Sequence, residues 1–349
     1  MPIFLKNCTA EQLLGHLSPI GLDPRRTRHL QASAIRHNDY PPASPNGLSL
    51  NLLKKIRERT VIPRLELQEK AVSRQDGFAR YRFRGHAPGS FEAVRIPLLH
   101  TTAKKYVACV SCQTGCAMGC AFCITGRLGS HRNLETWEMV DQVCQIQADS
   151  SHPVRGVVFM GMGEPMLNYD AVIQAARILS EPCGMAIGAK AITISTVGLI
   201  DGIRRFTREG HPYRLVVSLT SADPILRRQL MPVEKTNPTP LLIEALRDYH
   251  RTSGQRVTLA WTMISCVNTR EEDARLLAGL TRGLPVKLDL IDVNDPTGQF
   301  NPPPPDELNR FRDALRKHLG MPVARRYSGG RDIDAACGLL SGGNLSNHS

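Results

Sequence analysis

The sequence predicts an α/β fold in which six βα units form an incomplete barrel, preceded by a small, mainly helical, basic domain. Three observations carry that expectation. From about Tyr106, short β-branched runs alternate with longer helical patterns, as repeated βα units around a parallel sheet require. The alternation yields six units, fewer than the eight of a closed barrel. The first ninety or so residues lack this alternation and carry most of the positive charge. An open doubly wound sheet fits the same string, so the curvature rests on analogy.

In residues 1–90, Glu11 to His16 and Leu48 to Arg59 read as short helices, separated by a Pro- and Ser-rich turn region from Tyr40 to Gly47. Phe78 to Phe83 and Phe91 to Ile96 read as short strands leading into the main domain, residues 91–349. Its strands are expected at Tyr106–Val110, Gly156–Met160, Ala191–Ser195, Arg214–Leu219, Arg256–Ile264 and Val286–Ile291, with a final one at Pro322–Tyr327. The helices between them are expected at Glu135–Ala148, Asp170–Leu179, Leu199–Arg208, Pro240–Arg251, Glu271–Thr281 and Asp306–Leu319. Four consecutive prolines within Asn301 to Pro305 force an extended loop that cannot join the sheet.

With 349 residues, 42% of them hydrophobic, the chain can bury one large core and a smaller accessory one. No stretch approaches the roughly 18 apolar residues of a membrane span, and Met1 to Cys8 lacks the basic-then-apolar layout of a signal peptide, so a cytoplasmic protein with no membrane association is expected. The net charge of +12 favours a polyanionic partner such as nucleic acid. Met1 to Gly85 holds fifteen Lys and Arg against seven Asp and Glu, in clusters such as Arg25, Arg26, Arg28 and Lys54, Lys55, Arg57, Arg59. A merely basic, soluble surface would look similar. Ten cysteines in a chain of this length, five of them bunched together, point to metal or cluster binding rather than to a disulfide framework.

In parallel α/β folds functional groups gather at the C-terminal ends of the strands, and the unusual residues obey that rule. Cys116, Cys120 and Cys123 follow the first strand with CxxxCxxC spacing. Soft thiolates at this density bind zinc or an iron–sulfur cluster. A structural zinc site wants four ligands, usually two separated pairs, and no second CxxC pair follows, although Cys112 or Cys109 could serve as a fourth ligand. Three ligands on a four-iron cluster leave one iron open to a small molecule. Gly161, Gly163 and Glu164 end the second strand, where glycines permit close backbone approach and a carboxylate can accept from an ammonium; alone, such a segment is more often just a turn.

The CxxxCxxC spacing resembles the radical S-adenosylmethionine superfamily, in which the open iron binds the amino and carboxylate groups of S-adenosylmethionine. Cys109 to Cys116, Arg132-Asn133-Leu134, Met160 to Pro165 and Asp332 to Gly338 together resemble the RlmN/Cfr family of RNA adenine methyltransferases, over about Gly21 to Leu340. The resemblance implies a radical-SAM (βα)6 barrel, a [4Fe-4S] cluster on Cys116, Cys120 and Cys123, and S-adenosylmethionine as second cofactor. It implies contacts to that cofactor from Gly163, Glu164, Ser195, Ser218, Leu219, Thr220 and Asn294. The adenine ring carbon is electrophilic and cannot attack a sulfonium, so a radical route is needed. In the family, one S-adenosylmethionine methylates a cysteine, here Cys337, and a second is cleaved to a radical that removes hydrogen from that methyl group, which then adds to adenine. The same resemblance makes Glu92 the base that removes the ring-carbon proton and Cys109 the thiol that resolves the protein–RNA crosslink through a transient disulfide with Cys337.

It further implies a basic N-terminal domain that holds RNA phosphates, ribosomal and/or transfer RNA as partner, methylation at carbon 2 or carbon 8 with carbon 2 favoured, and an electron donor such as flavodoxin. A monomer is the simpler expectation. Thr220 departs from the commoner His, and Cys112 from the usual Ser or Thr. Trp137 and Trp261 read as core residues. Two other classes compete. A radical enzyme acting on a non-RNA substrate has no use for Cys109, Cys337, Glu92 and the basic domain together. A metal-containing RNA-binding factor would not consume S-adenosylmethionine.

Overall fold

The computed structural model describes residues 2–44, 47–98, 103–129, 132–320 and 322–341. Residues 45 and 46 of the expected turn region lie outside the described residues. The N-terminal part begins with the two-residue strand β1 (Ile3–Phe4) and continues through α1 (Ala10–Leu17), α2 (Pro24–Arg36) and α3 (Leu50–Arg59) to β2 (Thr60–Val61), which pairs in parallel with β1. Each helix starts where its cap dictates. Thr9 and Gln12 form a capping box for α1, Asp23 accepts from the Arg26 N–H with Pro24 in the first turn of α2, and Ser49 accepts from the Leu52 N–H at α3. Leu13, Leu17, Leu30, Leu53 and Ile56 close a core separate from the main one. Helix α2 is absent from the sequence expectation because its first half is dominated by Arg25, Arg26 and Arg28; only Leu30, Ala34 and Ile35 give it a buried apolar stripe.

A buried ion pair fastens this part to the barrel. Lys6 pairs with Asp141, both side chains fully buried, and its ammonium also donates to the Pro63 carbonyl at 3.0 Å. Asp141 accepts the Leu65 N–H at 2.7 Å. Truncating Asp141 to Ala leaves a buried cation with neutral acceptors only, which costs about 3–5 kcal/mol. We expect that loss in denaturant unfolding of Asp141→Ala, and a much smaller one in the apolar pair Lys6→Met/Asp141→Leu.

The main sheet has ten strands. β3 (Glu66–Val72), β4 (Ala79–Arg84) and β5 (Ser90–Leu98) run antiparallel to their neighbours, up to β6 (Lys105–Cys109). After β6 come α4 (Ile124–Arg127), α5 (Thr136–Ala148), β7 (Val154–Phe159), α6 (Tyr169–Ser180), β8 (Ile192–Thr196), α7 (Ile200–Glu209) and β9 (Arg214–Ser218). Then follow α8 (Pro224–Leu230), α9 (Thr239–Ser253), β10 (Val257–Met263), α10 (Glu271–Leu280), β11 (Val286–Asp292), α11 (Pro305–Leu319) and β12 (Val323–Arg326). All parallel strands and long helices of the main domain lie within a few residues of expectation. Trp137 and Trp261 are fully buried core residues.

Strand order separates the two architectures that the sequence left open. From β6 to β12 the strands are parallel and strictly sequential, whereas a doubly wound sheet reverses its order at a switch point. Right-handed crossovers without reversal put every helix on one face, and the other face curls into a barrel interior. β12 and β3 remain as edges, so the barrel is incomplete. The sheet already starts at Glu66, so the expected limit of the helical domain at residue 90 falls inside it. β3 gave no sequence signal because it is an exposed, charged edge strand without apolar alternation. Among the described residues, no helix is long and apolar enough to cross a membrane.

Candidate active site

A cavity opens at the C-terminal ends of β7 to β11. Cys116, Cys120 and Cys123 form one wall, Gly161, Gly163 and Glu164 a second, and Ser195, Ser218, Asn294 and Cys337 complete it. The cysteine loop is held by its backbone: the Cys116 N–H donates to the Gly129 carbonyl at 2.8 Å and the Ala121 N–H to the Leu230 carbonyl at 2.9 Å. Gly126 is required where α4 backs onto this loop, since a Cβ there would stand 2.9 Å from the Cys120 nitrogen.

The three thiols are pushed upward, first by burial and, for Cys116 and Cys120, also by neighbouring thiolates; Cys116 reaches about 12. A positively charged metal group would hold such thiols in the thiolate form. Among the described residues, no three His, Cys, Asp or Glu side chains converge on a single ion. The thiols instead line a shared wall, which suits a four-iron cluster that takes each ligand on a different iron.

Glu164 is 2% exposed. Its carboxylate accepts the Met166 N–H at 3.0 Å and the Val197 N–H at 2.9 Å, yet burial dominates and raises its pKa to about 7. Four lone-pair positions leave room for a ligand ammonium. Protonation removes the negative charge that favours an ammonium, so an ammonium held at this carboxylate binds more tightly as pH rises through about 7, and the gain levels off above it. Below that point the dependence approaches tenfold per pH unit. The same raised pKa lowers folding stability as pH rises from the ordinary carboxylate range to about 7. Titration calorimetry with S-adenosylmethionine should show this slope in the native protein and lose it in Glu164→Gln.

The glycines beside Glu164 line the cavity and are also needed for packing within the protein. A Cβ on Gly163, whose φ is +103°, would stand 2.6 Å from the Gln113 Cβ, and one on Gly161 would stand 2.8 Å from the Val110 carbonyl oxygen. They make room for the protein's own strand β6 and its loop.

Cys337 lies on a loop stapled to the cluster loop and to the end of β11. The Ile124 N–H donates to the Gly338 carbonyl at 2.9 Å, and Asn294 donates to the Cys337 carbonyl at 3.1 Å. Its thiol is open to the cavities it lines, and the protein around it still raises its pKa by desolvation. A second cavity inside the barrel is lined by Cys337 and by Cys109. Burial, then the Cys337 charge, raise the Cys109 pKa, while Arg326 pulls both thiols down. All ten cysteines are free, so the expected disulfide is not formed in this state.

Three expected residues stand apart from these cavities. Leu219 and Thr220 are buried behind the first cavity, Thr220 with φ +62° and a hydroxyl lacking a hydrogen-bond partner. Glu92, fully buried on β5, pairs with Arg80 at 3.4 Å and accepts the Ser341 N–H at 3.0 Å. It lines neither cavity. Cys112 lines neither as well, and its carbonyl serves the Leu134 N–H and the Asn168 amide.

Sequence reasoning missed Arg227. Its buried guanidinium pairs with Glu234 and donates to the carbonyls of Leu219 and Val197 at 3.1 and 2.8 Å, tying the ends of β8 and β9 together. One arginine among many in a basic chain carries no sequence signal of burial.

Three thiols, a buried carboxylate and an open partial barrel define a radical S-adenosylmethionine enzyme, and the pattern of the Radical SAM superfamily matches residues 110–277. A probable RNA methyltransferase of Myxococcus xanthus (strain DK1622) is 46% identical over 97% of this chain and 94% of its own. The dual-specificity RNA methyltransferase RlmN of Syntrophobacter fumaroxidans is 36% identical over 97% of this chain and 98% of its own. The crystal structure of a radical SAM methyltransferase from Sphaerobacter thermophilus superposes with a TM-score of 0.88 at 35% identity, covering 98% of this chain and 100% of that one. The chain belongs to the RlmN/Cfr family of radical S-adenosylmethionine RNA methyltransferases, which use a [4Fe-4S] cluster and S-adenosylmethionine.

Proposed function

We propose that this enzyme methylates a ring carbon of adenine, carbon 2 in preference to carbon 8, in ribosomal and/or transfer RNA, through a methyl group carried by Cys337. The observation that carries the reading is the position of Cys337, which lines both the cavity of the cluster thiols and the barrel cavity that contains Cys109. Relatives named RlmN across 97% of the chain favour carbon 2, and their dual-specificity name favours two RNA classes.

Cys116, Cys120 and Cys123 hold the cluster, Glu164 takes the amino group of the cofactor, and Gly163, Ser195, Ser218 and Asn294 surround the rest of it. Leu219 and Thr220 support this wall from behind. When bound at the cluster, S-adenosylmethionine supplies a methyl group and a 5′-deoxyadenosyl radical. Cys337 accepts the methyl group as a thiolate, which Arg326 favours against desolvation. Asn294 fixes the loop so that the sulfur serves the cofactor on one side and the substrate on the other.

Once the methyl carbon has joined the adenine, Glu92 removes the ring-carbon proton and Cys109 attacks the thioether sulfur. That attack breaks the carbon–sulfur bond and leaves a Cys109–Cys337 disulfide, which an external thiol reduces, while the freed methylene carbon takes up a proton to complete the methyl group of the released base. Glu92 can reach a base only after Ser341 withdraws from it. The exposed side chains of Arg25, Arg28, Lys54, Lys55, Arg57 and Arg59 on α2 and α3 suit RNA phosphates, and the half-buried Arg26 lies beside them. A monomeric cytoplasmic enzyme fed electrons by a flavodoxin completes the reading.

The test is nucleoside mass spectrometry after anaerobic reaction of the reconstituted protein with methyl-deuterated S-adenosylmethionine and unmodified ribosomal and transfer RNA. Labelled 2-methyladenosine is expected. Labelled 8-methyladenosine would move the enzyme to the Cfr type, and cofactor cleavage without any labelled nucleoside would remove RNA adenine as the substrate.

A further inference from the structure

The barrel cavity has a volume of about 980 Å³ and runs along the inner faces of β6, β7 and β8. Its walls are Val107, Val158, Ile96 and Thr193, and its inner end holds Cys109 and Cys337. The opposite end is rimmed by Lys105, Arg155, Lys190 and Arg214, at or just before the N-terminal ends of β6 to β9. Among the described residues, none of these four cations takes part in an ion pair, whereas Arg80, Arg95, Arg132, Arg205 and Arg227 all do. Asp76 is the one carboxylate among the residues that line this cavity, and the Gly330 N–H and the Tyr327 hydroxyl occupy it.

The other end of the barrel carries the cavity of the cluster thiols. The cluster loop and the Cys337 loop are bonded across it through Ile124 to Gly338, Thr125 to Leu340 and Asn294 to Cys337. Cofactor fills that end, so a polyanion that must reach Cys337 needs another approach. From Lys105 to Cys109 the strand climbs about 13 Å, at roughly 3.3 Å per residue. That distance suits an extruded nucleotide whose base reaches the thiols while its phosphate stays at the rim. The cavity volume lies within the roughly 300–1,000 Å³ typical of ligand sites.

We infer that the N-terminal mouth of the barrel is the RNA port: an extruded adenosine enters between β6 and β9, and Lys105, Arg155, Lys190 and Arg214 hold the phosphates that flank it. Cofactor and RNA thereby approach Cys337 from opposite ends of one barrel. The inference rests on the RNA-adenine reading and adds the route and the phosphate contacts.

The test compares the full-length reconstituted enzyme with Arg155→Ala/Lys190→Ala/Arg214→Ala, using transcripts of large-subunit ribosomal RNA and of transfer RNA as probes. Three lost phosphate contacts should flatten the slope of log affinity against log salt by about 2, at about 0.7 per contact on single-stranded RNA. RNA affinity at low salt should fall roughly tenfold or more, and KM for RNA should rise by a similar factor. Arg155→Lys/Arg214→Lys keeps the charge and should keep the slope, which separates phosphate binding from damage to the fold.

An unchanged slope and KM in the triple alanine variant would overturn the port. So would intact RNA binding combined with a raised requirement for flavodoxin, which would assign the rim to a redox partner. If the wild-type enzyme cleaves S-adenosylmethionine but methylates neither RNA, the adenine reading has failed instead of the port.

Discussion

Replacing Cys337 with Ala should abolish RNA methylation, a loss of the whole rate enhancement on the order of 10⁶-fold or more, while reductive cleavage of S-adenosylmethionine remains measurable. The asymmetry follows from position. Cys337 lines the cofactor cavity, yet it belongs to neither the thiol set on the CxxxCxxC loop nor the Glu164 wall. Removing its sulfur takes away the methyl carrier and leaves the cluster ligands and the amino-group partner in place. Loss of cleavage as well would mean that Cys337 holds cofactor instead of carrying substrate carbon. Assays of 5′-deoxyadenosine and of methylated nucleoside from one reaction separate the two outcomes.

Cys109→Ala should turn a catalytic enzyme into a single-turnover one, with RNA covalently attached to Cys337. Cys109 lines the barrel cavity and senses the charge of Cys337, and it does not line the cofactor cavity. It can therefore act late, after the methyl carbon has joined the base. Burial raises its pKa despite the nearby Arg326, so the thiol is a poor nucleophile in this state, which suits a group that must not react early. Denaturing electrophoresis with labelled RNA should show one adduct per protein in the variant and almost none in the native enzyme. Normal turnover in Cys109→Ala would remove that thiol from the mechanism.

How much of this was legible in sequence depends on which force fixes each part. Strands β7 to β11 carry β-branched and apolar runs because they are largely buried on both faces, and their helices carry an apolar stripe because one face packs on the sheet. Both patterns survive in one dimension. Helix α2 and strand β3 are held by caps, hairpin pairing and long-range contacts, so their composition resembles a loop. The cluster thiols are legible because their ligand spacing is local. Cys109 and Cys337 come together across the chain, and only family resemblance linked them to each other and to Glu92.

The structure qualifies that link for Glu92, whose carboxylate is engaged by Arg80 and the Ser341 N–H and lines neither cavity. Gly161 and Gly163 line the cavity and also let β7 pack against the loop after β6, a contact that their spacing in the chain does not reveal. Arg227 was invisible because a charge buried by tertiary contacts leaves no local pattern.

The central claim is that the transferred carbon rests on Cys337 before it reaches RNA, and an isotope pulse and chase tests it most directly. The reconstituted enzyme would be incubated with methyl-deuterated S-adenosylmethionine in the absence of RNA, freed of excess cofactor, and then given RNA with unlabelled cofactor. Peptide mass spectrometry should find the label on Cys337 before the chase, and nucleoside analysis should find it in methyladenosine after the first turnover. Unlabelled methyladenosine from the first turnover, with Cys337 never carrying deuterium, would contradict the account.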